Sequence, residues 1–421
     1  MNPSAPPAPK SILRGHKSQV HASVFLDHDT TRLLTGDADG FVVLWDLTIL
    51  RPRAVWRAHE SAILGVRGWG TDKIITHGRD HKLIVWKLAR EDEGNMSTAL
   101  PLEEGVQRPQ PWILHLLEVN TMNFCAFASC PAVPTTSGPS ISSVDETLIA
   151  VPNTILSDAI DIWSLPCQQR IHTVQGSKDA GMTMALSLFH LSNTLTLIAA
   201  FENGYASVHR LINGEWTTTY RAQAHSQPIL SIDVHPSLVF FLTSSADSVI
   251  GKHPIPETQQ ETITQHLDPS HRVVEEVLDE EDNANHVPKT AWKEWEYPTQ
   301  TVNTKHSGQQ GLRIRSDGRI FATAGWDSAV RVYSCKTMKE LAVLKWHQVG
   351  CYTVAMANVT PDANESSEKD ESSPSKNASG GVTTLASTSI SVKDRRIHQA
   401  KRTHWMAAGA KDGRISLWDI Y

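Results

Sequence analysis

Short stretches of alternating side chains recur along the chain, and each follows a tight turn. Residues 41–45 and 414–418 are two examples, and each ends in tryptophan. Alternation with a period of two is typical of a half-buried β-strand rather than of a helix. An Asp or Asn stands six residues before the aromatic residue or histidine that closes such a stretch. The pattern therefore predicts a chain built from short strands and turns.

The interval between the acid or amide and the closing residue repeats along the whole chain. Several consecutive closing residues are separated by roughly 40–45 positions, which is the period of a four-stranded propeller blade. Longer gaps correspond to one blade plus an insertion, so the count predicts an all-β, seven-bladed β-propeller. The pairs are Asp39 with Trp45, Asp80 with Trp86, Asn203 with His209, Asp247 with His253, Asp327 with Tyr333 and Asp412 with Trp418, with Asp158 and Trp163 as a less regular seventh.

Further signature residues make almost the whole chain resemble the WD-repeat family. In WD repeats a His, a Ser or Thr, an Asp and a Trp form a hydrogen-bonded tetrad that fixes the turn between the second and third strands. Such a network gives a buried indole N–H and a buried imidazole their partners. The resemblance implies tetrads of His16, Thr35, Asp39 and Trp45, and of His59, Thr76, Asp80 and Trp86. Partial sets are His225, Thr243, Asp247 and His253; His306, Thr323, Asp327 and Tyr333; and His347, Asp412 and Trp418, with Ala408 at the hydroxyl position.

The two ends of the chain predict how the ring closes. The sequence stops shortly after Trp418, so the last blade has only three strands of its own. Residues 11–14 precede Gly15-His16 in the same way that residues 54–57 precede Ala58-His59. We therefore expect residues 1–10 to be a proline-rich tail and residues 11–421 to form the propeller, with an N-terminal strand completing the last blade. A closed ring leaves no open sheet edge.

Four stretches interrupt the blade pattern: residues 89–111, 131–146, 256–297 and 357–403. If the strands of a blade are called a to d, its a–b and c–d turns share one face of the ring. All four stretches fall in such turns, and we call this face the insertion face. The b–c and d–a connections share the opposite face, which we call the rim face. Insertions gathered on one face of a repeat protein often mark a binding face.

Two segments of these insertions carry distinctive chemistry. Trp292, Trp295 and Tyr297 form an aromatic cluster after an acidic stretch, and aromatic residues are common anchors of protein interfaces. They are candidate partner-binding residues, or they pack against the flank of the ring. Residues 393–402 are the clearest basic cluster, which indicates a nuclear localisation element, a contact for an acidic partner or a solvated flank.

The rim face has candidates of its own. In WD propellers, residues just after each blade's His and just before each Asp surround the mouth of the central channel. Trp326 stands out among them, because equivalent positions hold small residues such as Ala38 and Ala246. An isolated exposed aromatic residue also occurs without a function. The rim candidates are Gln19, His21, Leu64, Arg79, Glu202, Trp326, Tyr352 and Lys411.

Composition excludes several classes of partner. The net charge is −6, whereas nucleic-acid binding favours a basic stripe, so no direct nucleic-acid contact is expected. The five cysteines show no paired or zinc-binding spacing, which favours a reducing compartment. No apolar run reaches ~18 residues and the N-terminus has no apolar core, so neither a membrane span nor a secretory signal is expected.

No motif for catalysis is present. The sequence contains no GxSxG elbow, no phosphate-binding glycine loop and no HExxH pair. The histidines and aspartates recur blade by blade, so each is interpreted as structural rather than as a metal ligand. We therefore expect no cofactor and no enzymatic activity, although propeller enzymes exist.

Three classes of interaction protein are compatible with a WD propeller. A G-protein β subunit would begin with a long coiled-coil helix, which is missing before residue 11. A cullin-ligase substrate receptor often ends blades with Trp-Asp-x-Arg, but residues 45–48 and 418–421 lack the arginine. That class stays open as the alternative.

Three specific segments are similar to the fungal ASTRA-associated protein 1 family: residues 120–125, 317–327 and 410–415, together with the opening 11–16. The resemblance implies a non-catalytic nuclear scaffold in the ASTRA assembly. That assembly is linked to chromatin remodelling and to maturation of phosphatidylinositol-3-kinase-related kinases. The partners implied are kinase-related proteins, co-chaperones and AAA-ATPases.

Overall fold

The computed structural model describes residues 8–120, 124–134, 146–176, 179–256, 296–359 and 391–420. Within these ranges the strands form seven antiparallel sheets of four strands each. The sheets follow one another along the chain as blades 1 to 7. The predicted all-β, seven-bladed β-propeller is confirmed.

Each blade is a meander of four consecutive strands, and only blade 7 combines both ends of the chain. Blade 1 consists of β2 (Val20–Leu26), β3 (Asp29–Asp37), β4 (Phe41–Asp46) and β5 (Arg51–Arg57); blade 2 of β6 (Ile63–Trp69), β7 (Lys73–Gly78), β8 (Lys82–Lys87) and β9 (Trp112–Glu118). Blade 3 consists of β10 (Ala128–Pro131), β11 (Thr147–Pro152), β12 (Ile160–Leu165) and β13 (Gln169–Val174); blade 4 of β14 (Thr183–Leu191), β15 (Thr194–Phe201), β16 (Tyr205–Ile212) and β17 (Glu215–Gln223). Blade 5 consists of β18 (Ile229–Val234), β19 (Phe240–Ser245), β20 (Val249–Pro254) and β21 (Gln300–Asn303); blade 6 of β22 (Gln309–Ile314), β23 (Ile320–Gly325), β24 (Val330–Ser334) and β25 (Glu340–Leu344). Blade 7 consists of β26 (Cys351–Met356), β27 (Trp405–Ala410), β28 (Arg414–Asp419) and β1 (Ser11–Arg14).

The core lies between the blades. On β4, Trp45 packs in a cluster with Ile415 of blade 7. The neighbouring Leu44 packs in a cluster with Trp86 of blade 2. The inner strands are therefore buried on both faces rather than half-buried as predicted, because every sheet is covered by a blade on each side. An apolar stretch such as residues 42–45 satisfies both neighbours at once.

The ring closes as the sequence predicts, through pairing of β1 with β28. Ser11 lies opposite Leu417 and Arg14 lies opposite Arg414. The pairing begins one residue before the predicted boundary, since the Lys10 N–H donates to the Leu417 carbonyl at 2.8 Å. The ammonium of Lys10 also lies 2.6 Å from a carboxylate oxygen of Asp419. The N-terminal strand thus holds the last blade by both backbone and charge.

The first strand of six blades contains a β-bulge near its start. In blade 1 the pairing of β2 with β3 moves from Val20↔Asp37 to Ala22↔Gly36, which leaves one extra residue on β2. A bulge changes the direction of a side chain and locally breaks the ladder. Because the first strand starts at the rim face beside the central channel, the extra residues are aimed at the channel mouth. They are His21, Leu64, Met184, Leu230, Gln310 and Tyr352.

The insertion at residues 89–111 does not stay on the insertion face. After β8 it turns along the outer edge of blade 1, where the Val55 N–H donates to the Ser97 carbonyl at 2.8 Å. It then reaches the connection between β1 and β2, where the Leu102 N–H donates to the Gly15 carbonyl at 3.1 Å. We call residues 92–108 the strap. The strap covers an exposed strand edge, which removes a site of unwanted pairing.

The other three insertions lie only partly in the described ranges. The basic run at residues 393–402 falls within a helix, α1 (Val392–Arg402), which the sequence analysis did not predict. The Ser391 hydroxyl caps the helix by accepting the Asp394 N–H at 3.1 Å. Ala400 is buried, and its carbonyl accepts the Trp405 indole N–H at 2.8 Å. Residues 135–145, 257–295 and 360–390 lie outside the described residues.

Candidate interaction surface

Blade 2 contains a fully connected polar network. The Thr76 hydroxyl lies 2.7 Å from Nε2 of His59 and accepts the Trp86 indole N–H at 2.8 Å. Nδ1 of His59 lies 2.8 Å from a carboxylate oxygen of Asp80. Burial alone would raise the pKa of Asp80, but hydrogen bonds from His59 and the Glu60 N–H outweigh it and hold that pKa below the ordinary value. The network fixes the turn between β7 and β8.

In blade 1 the carboxylate of the tetrad is Asp37, and the expectation of Asp39 is wrong. Nδ1 of His16 lies 2.7 Å from Asp37, and the Thr35 hydroxyl joins His16 to Trp45. Asp37 is completely buried and also accepts the Phe41 N–H at 2.9 Å, whereas Asp39 is exposed in the turn. The physical reason is geometric, because the last residue of β3 points inward and the turn residue two positions later points to solvent.

Blade 7 keeps its hydroxyl, but on a different strand. The hydroxyl of Ser416 lies 2.8 Å from Nε2 of His347 and accepts the Trp418 indole N–H at 2.8 Å. Ser416 lies directly opposite Ala408 in the pairing of β27 with β28, so it supplies the group that Ala408 lacks. Asp412 does not complete the network: its carboxylate accepts the Arg414 N–H, and Nδ1 of His347 has no hydrogen-bond partner among the described residues.

Blade 6 uses an amide where a histidine was expected. The Thr323 hydroxyl donates to Oε1 of the buried Gln309 at 2.7 Å. His306 is about half exposed and lies 3.3 Å from Asp327. Asp327 also pairs with the buried Arg331. The assignment of His306 to the central network is therefore wrong, and Gln309 takes that position.

In blade 5 the central hydroxyl of the network lies between two histidines, and His253 stands where other blades have tryptophan. The Thr243 hydroxyl lies 2.7 Å from Nε2 of His225 and 2.9 Å from Nε2 of His253. Nδ1 of His253 lies 2.6 Å from the Tyr220 hydroxyl. Burial lowers the pKa of His253 to about 3, so its imidazole is neutral at ordinary pH. These histidines therefore serve the packing of the blade.

The bulged residues build the channel mouth on the rim face. The imidazole of His21 stacks on the ring of Tyr352, with centroids 5.5 Å apart and planes 3° apart. Below them the Ser23 and Thr353 hydroxyls are 2.9 Å apart, which ties blade 1 to blade 7. Burial lowers the pKa of His21, and the nearby Arg79 lowers it further, while Asp37 opposes the change. The stacked pair is therefore a rigid platform.

Trp326 continues this platform on blade 6. Its indole is 47% exposed, and its N–H donates to Oε1 of the bulged Gln310 at 2.7 Å. Gly308 lies directly beneath the ring, since a Cβ there would be 2.2 Å from ring atoms. The hydrogen bond and the glycine contact thus hold the Trp326 indole in one orientation, with about half of its surface exposed to solvent. A preorganised aromatic surface loses little entropy when a partner binds.

Arg79 lies at the other end of the platform, on the turn between β7 and β8. Its guanidinium lies 4.5 Å from the centre of the Phe124 ring, and Phe124 is 62% exposed. Such a pair presents a cation and an aromatic face together. Lys411 is exposed in the turn between β27 and β28, where its N–H donates to the Gly350 carbonyl at 2.9 Å. Its side chain adds positive charge to the same face.

The remaining rim candidates have structural contacts. The Gln19 carbonyl accepts the Ala38 N–H at 2.9 Å. A carboxylate oxygen of Glu202 accepts the Met182 N–H at 3.3 Å. Leu64 is the bulged residue of blade 2. Their side chains or backbones shape the rim and present less surface than Trp326.

The aromatic cluster predicted on the insertion face is only partly visible. Trp292 and Trp295 lie outside the described residues, and Tyr297 is 73% exposed just before β21. Among the described residues no cluster of His, Cys, Asp and Glu has the arrangement of a metal site. None of the helices in the described ranges is long and apolar enough to cross a membrane.

Sequence reasoning missed three features of this surface. Ser416 and Gln309 substitute for residue types that the repeat pattern specifies, so a search by type passes over them. The bulges that aim His21, Gln310 and Tyr352 leave no mark in residue spacing. Two exposed apolar residues, Ile155 and Leu156, lie in the least regular blade, where no signature guided the alignment.

The ring of seven blades and its imidazole–hydroxyl networks define a WD-repeat β-propeller. The family model described as "WD domain, G-beta repeat" matches residues 8–46 and 298–334. The first match contains β1, which is the outer strand of blade 7, and the first three strands of blade 1. The sequence repeat is therefore offset by one strand from the structural blade.

Comparison with curated proteins identifies the family. The chain is 51% identical over 420 residues to ASTRA-associated protein 1 of Verticillium alfalfae, an alignment that covers 99% of this chain and 93% of that protein. It is 46% identical to ASTRA-associated protein 1 of Pyricularia oryzae, with 100% and 98% covered. Identity to ASTRA-associated protein 1 of Schizosaccharomyces pombe is 30%, with 83% and 93% covered. The chain belongs to the ASTRA-associated protein 1 family.

Proposed function

We propose that this chain is a non-catalytic scaffold subunit of an ASTRA-type complex in the nucleus. Within it the propeller would help to assemble phosphatidylinositol-3-kinase-related kinases with co-chaperones and AAA-ATPases, with a further role in chromatin remodelling. The observation that carries the proposal is the near full-length similarity to proteins named for association with ASTRA.

The geometry of the rim face supports a docking role. Trp326 and the stacked pair of His21 and Tyr352 offer open aromatic surface held by hydrogen bonds and stacking. Aromatic residues and arginine carry much of the binding energy in protein interfaces. Arg79, stacked on Phe124, extends this surface. We therefore assign the main partner contact to the rim face.

A tagged version of the protein, purified from its own cells and analysed by mass spectrometry, tests the assignment. We expect kinase-related proteins, co-chaperones and AAA-ATPases among the recovered proteins. The Trp326→Ala variant should lower the recovery of at least one of them about tenfold, a loss typical of an interface anchor. Trp112→Ala is the matched control, because Trp112 is 75% exposed on the outer strand of blade 2.

Three results would count against the proposal. Recovery of cullin-ligase subunits or of G-protein γ chains would identify a different class of WD protein. Equal recovery by the Trp326→Ala variant and the control would remove Trp326 from the interface. An unfolded Trp326→Ala variant would show that this indole is needed for packing. A variant without residues 257–295 would show in parallel whether the aromatic cluster at Trp292 and Trp295 contributes.

A further inference from the structure

We infer that blade 3 carries a second docking surface, which binds a segment of a partner protein bearing apolar side chains flanked by lysine or arginine. The surface, called here the blade 3 surface, consists of Phe124, Ile155 and Leu156 and the groove beside them. This inference rests on the proposed scaffold role, because the partner would be a subunit of the same complex. Four properties of the described residues support it.

The first property is exposed apolar area. Ile155 is 88% exposed, Phe124 is 62% exposed and Leu156 is 49% exposed. All three lie in rim-face connections, with Phe124 before β10 and the other two between β11 and β12. Grouped exposed apolar residues mark interaction sites more often than single ones do. Phe124 contacts Arg79 of the rim platform, and the Asn120 side-chain amide donates to the Asn153 carbonyl at 2.6 Å, which ties the connection that carries Phe124 to the loop that carries Ile155 and Leu156.

The second property is rigidity. The side-chain oxygen of Asn153 accepts the N–H groups of Ile155 and Leu156 at 2.8 and 2.9 Å. Its amide nitrogen donates to both carboxylate oxygens of the buried Asp161 at 3.0 and 2.9 Å. Asp161 is held in turn by the Thr173 hydroxyl at 2.7 Å. A buried, fully paired network thus fixes the loop that carries the two apolar side chains.

This network stands where a regular blade would have its tetrad. Blade 3 has lost the usual residues, yet Asn153 and Asp161 are each nearly completely buried. The backbone adds support, because the Asn153 N–H donates to the Ala159 carbonyl and the Thr183 N–H donates to the Ser157 carbonyl. The loop is therefore built to hold an exposed apolar tip in place. An apolar tip exposed to water has an unfavourable free energy of solvation, and a partner that covers the tip removes this cost.

The third property is a groove next to the loop, between blades 2 and 3. It has a volume of about 770 Å³ and is lined by Val119, Val151, Pro152 and Trp163 together with polar groups. A groove of this size accommodates one or two large apolar side chains. Thr154, the neighbour of Ile155, is also part of the lining. The exposed tip and the groove therefore offer anchoring points for the same segment.

The fourth property is charge. Glu118 lines the groove and Asp158 lies in the loop, and neither forms an ion pair with a lysine or arginine of the described chain. The cation of the groove, Arg170, is 3.5 Å from Asp161 and so is already paired. Arg79 is stacked on Phe124 at the edge. Two open carboxylates around an apolar centre favour a partner segment with positive charge on either side.

A direct binding measurement tests the chemistry without the complex. The purified full-length chain is titrated against two fluorescent 15-residue peptides, each with three leucines, one flanked by lysines and the other by glutamates. We expect the lysine-flanked peptide to bind at least tenfold more tightly. The double variant Ile155→Glu/Leu156→Glu should lose this binding, and Glu118→Lys/Asp158→Lys should reverse the preference. Leu341→Glu, at an exposed leucine on the outer strand of blade 6, is the matched control.

A photo-crosslinking residue at position 155, with position 341 as control, identifies the occupant in cells. The expected product joins position 155 to an apolar segment of another polypeptide with flanking basic residues. A crosslink to a second copy of this chain or to lipid would overturn the inference, as would equal binding of both peptides. If the wild-type chain recovers no ASTRA-type subunits, the proposed function fails. If it recovers them and the Ile155→Glu/Leu156→Glu variant recovers the same set, the blade 3 surface fails alone.

Discussion

At the scale of single residues, buried polar groups decide which side chains each blade requires. The requirement is chemical rather than positional, because a buried indole or imidazole needs a hydrogen-bond partner of any suitable type. Ser416 supplies the hydroxyl of blade 7 from the neighbouring strand. Gln309 supplies an amide in blade 6. A repeat can therefore lose its signature residues and keep its physical network.

Blade 1 offers a sharp test at this scale, since the carboxylate of its network is Asp37 and not Asp39. Asp37→Ala should lower the free energy of unfolding by about 3 kcal/mol, because it leaves His16 and two backbone N–H groups without an acceptor in the interior. Asp39→Ala should change it by less than about 0.5 kcal/mol, as is usual at an exposed site. Urea denaturation followed by tryptophan fluorescence measures both. Equal losses would contradict the assignment.

The neutral buried histidines predict how stability depends on pH. Burial lowers the pKa of His77 and of His253 to about 3 and that of His209 to about 4. Below pH 6.5 these three imidazoles therefore bind protons in the unfolded chain but stay neutral in the folded chain. Their contribution to stability is complete above pH 6.5 and is lost as the pH falls towards 3–4. At pH 5 the loss is about 2 kcal/mol for each histidine.

His77 is the clearest single test of this dependence, since neither of its ring nitrogens has a hydrogen-bond partner among the described residues. The unfolding free energy of the wild-type chain falls between pH 7 and pH 5, and the three histidines together contribute to this loss. His77→Leu should remove about one third of their combined contribution. Urea titrations at both pH values provide the measurement. His28→Gln, at an exposed turn of blade 1, is the matched control for removal of an imidazole. An unaltered slope in His77→Leu would mean that this imidazole is protonated in the folded state.

At this scale, sequence predicted the networks of blades 2 and 5 and assigned at least one wrong member in blades 1, 6 and 7. The spacing from His59 to Trp86 matched the family pattern, and all four residues are joined as it implies. Asp39 stands six residues before Trp45, as Asp80 stands before Trp86, and this spacing predicts Asp39 as the network carboxylate. The turn of blade 1 instead places Asp37 in the interior. Spacing along the chain does not determine which of two nearby aspartates points inward. Only the backbone geometry of the turn does.

At the scale of elements, the β-bulge in the first strand links fold to surface. Each bulge adds one residue to strand a, and that residue points to the channel mouth. His21 and Tyr352 stack there because two neighbouring blades carry the same irregularity. A regular ladder would direct these side chains into the layers between blades. The rim platform is therefore a consequence of the strand geometry shared by most blades.

The strap is the second element with a testable role. The guanidinium of Arg108 donates to the carbonyls of Ala99, Leu100 and Glu103 and lies 5.3 Å from the centre of the Phe41 ring. This side chain fixes the bend of the strap, and the backbone bonds from Val55 to Ser97 and from Leu102 to Gly15 attach the strap to the ring. The strap was predicted as part of an insertion but not as an edge cover, because its acidic sequence has no strand pattern.

Arg108→Ala should release the strap from blade 1. We expect amide hydrogen exchange at Val55 to become at least about tenfold faster, since its hydrogen bond to Ser97 would open more often. A protease that cleaves after glutamate should also cut at Glu103 or Glu104 sooner. Arg90→Ala is the control, because Arg90 is largely exposed and lies 3.8 Å from Asp29. Unchanged exchange at Val55 would show that the remaining hydrogen bonds and ion pairs of the strap hold it without Arg108.

At the scale of the whole molecule, the sequence predicted the ring and its closure because both follow from the repeat. The period fixes the number of blades, and a three-stranded last blade requires a fourth strand from elsewhere. The rim residues His21, Trp326 and Tyr352 also follow from their positions in each repeat. The blade 3 surface was harder to predict, because Phe124 and Ile155 are about 30 positions apart in a blade without the family signature. The hydrogen bond from Asn120 to the Asn153 carbonyl, which ties their two connections together, depends on the folded ring rather than on any local pattern.

Ring closure gives the last prediction. Removal of residues 1–14 would take away β1, whose Leu13 is buried in the cluster with Ile415 and Leu417. The loss of that burial and of the pairing with β28 should lower Tm by at least about 5 °C. It also exposes an unpaired strand edge, so light scattering should show concentration-dependent association.

A shorter deletion separates the closure from the tail. Removal of residues 1–7 keeps β1 and the ion pair of Lys10 with Asp419, so Tm should change by less than about 2 °C. Because both ends of the chain meet in blade 7, the difference between the two deletions measures what the closing strand contributes to the whole ring. If both deletions had the same small effect, the ring would be stable with a three-stranded blade, and closure would serve only to cover the edge of β28.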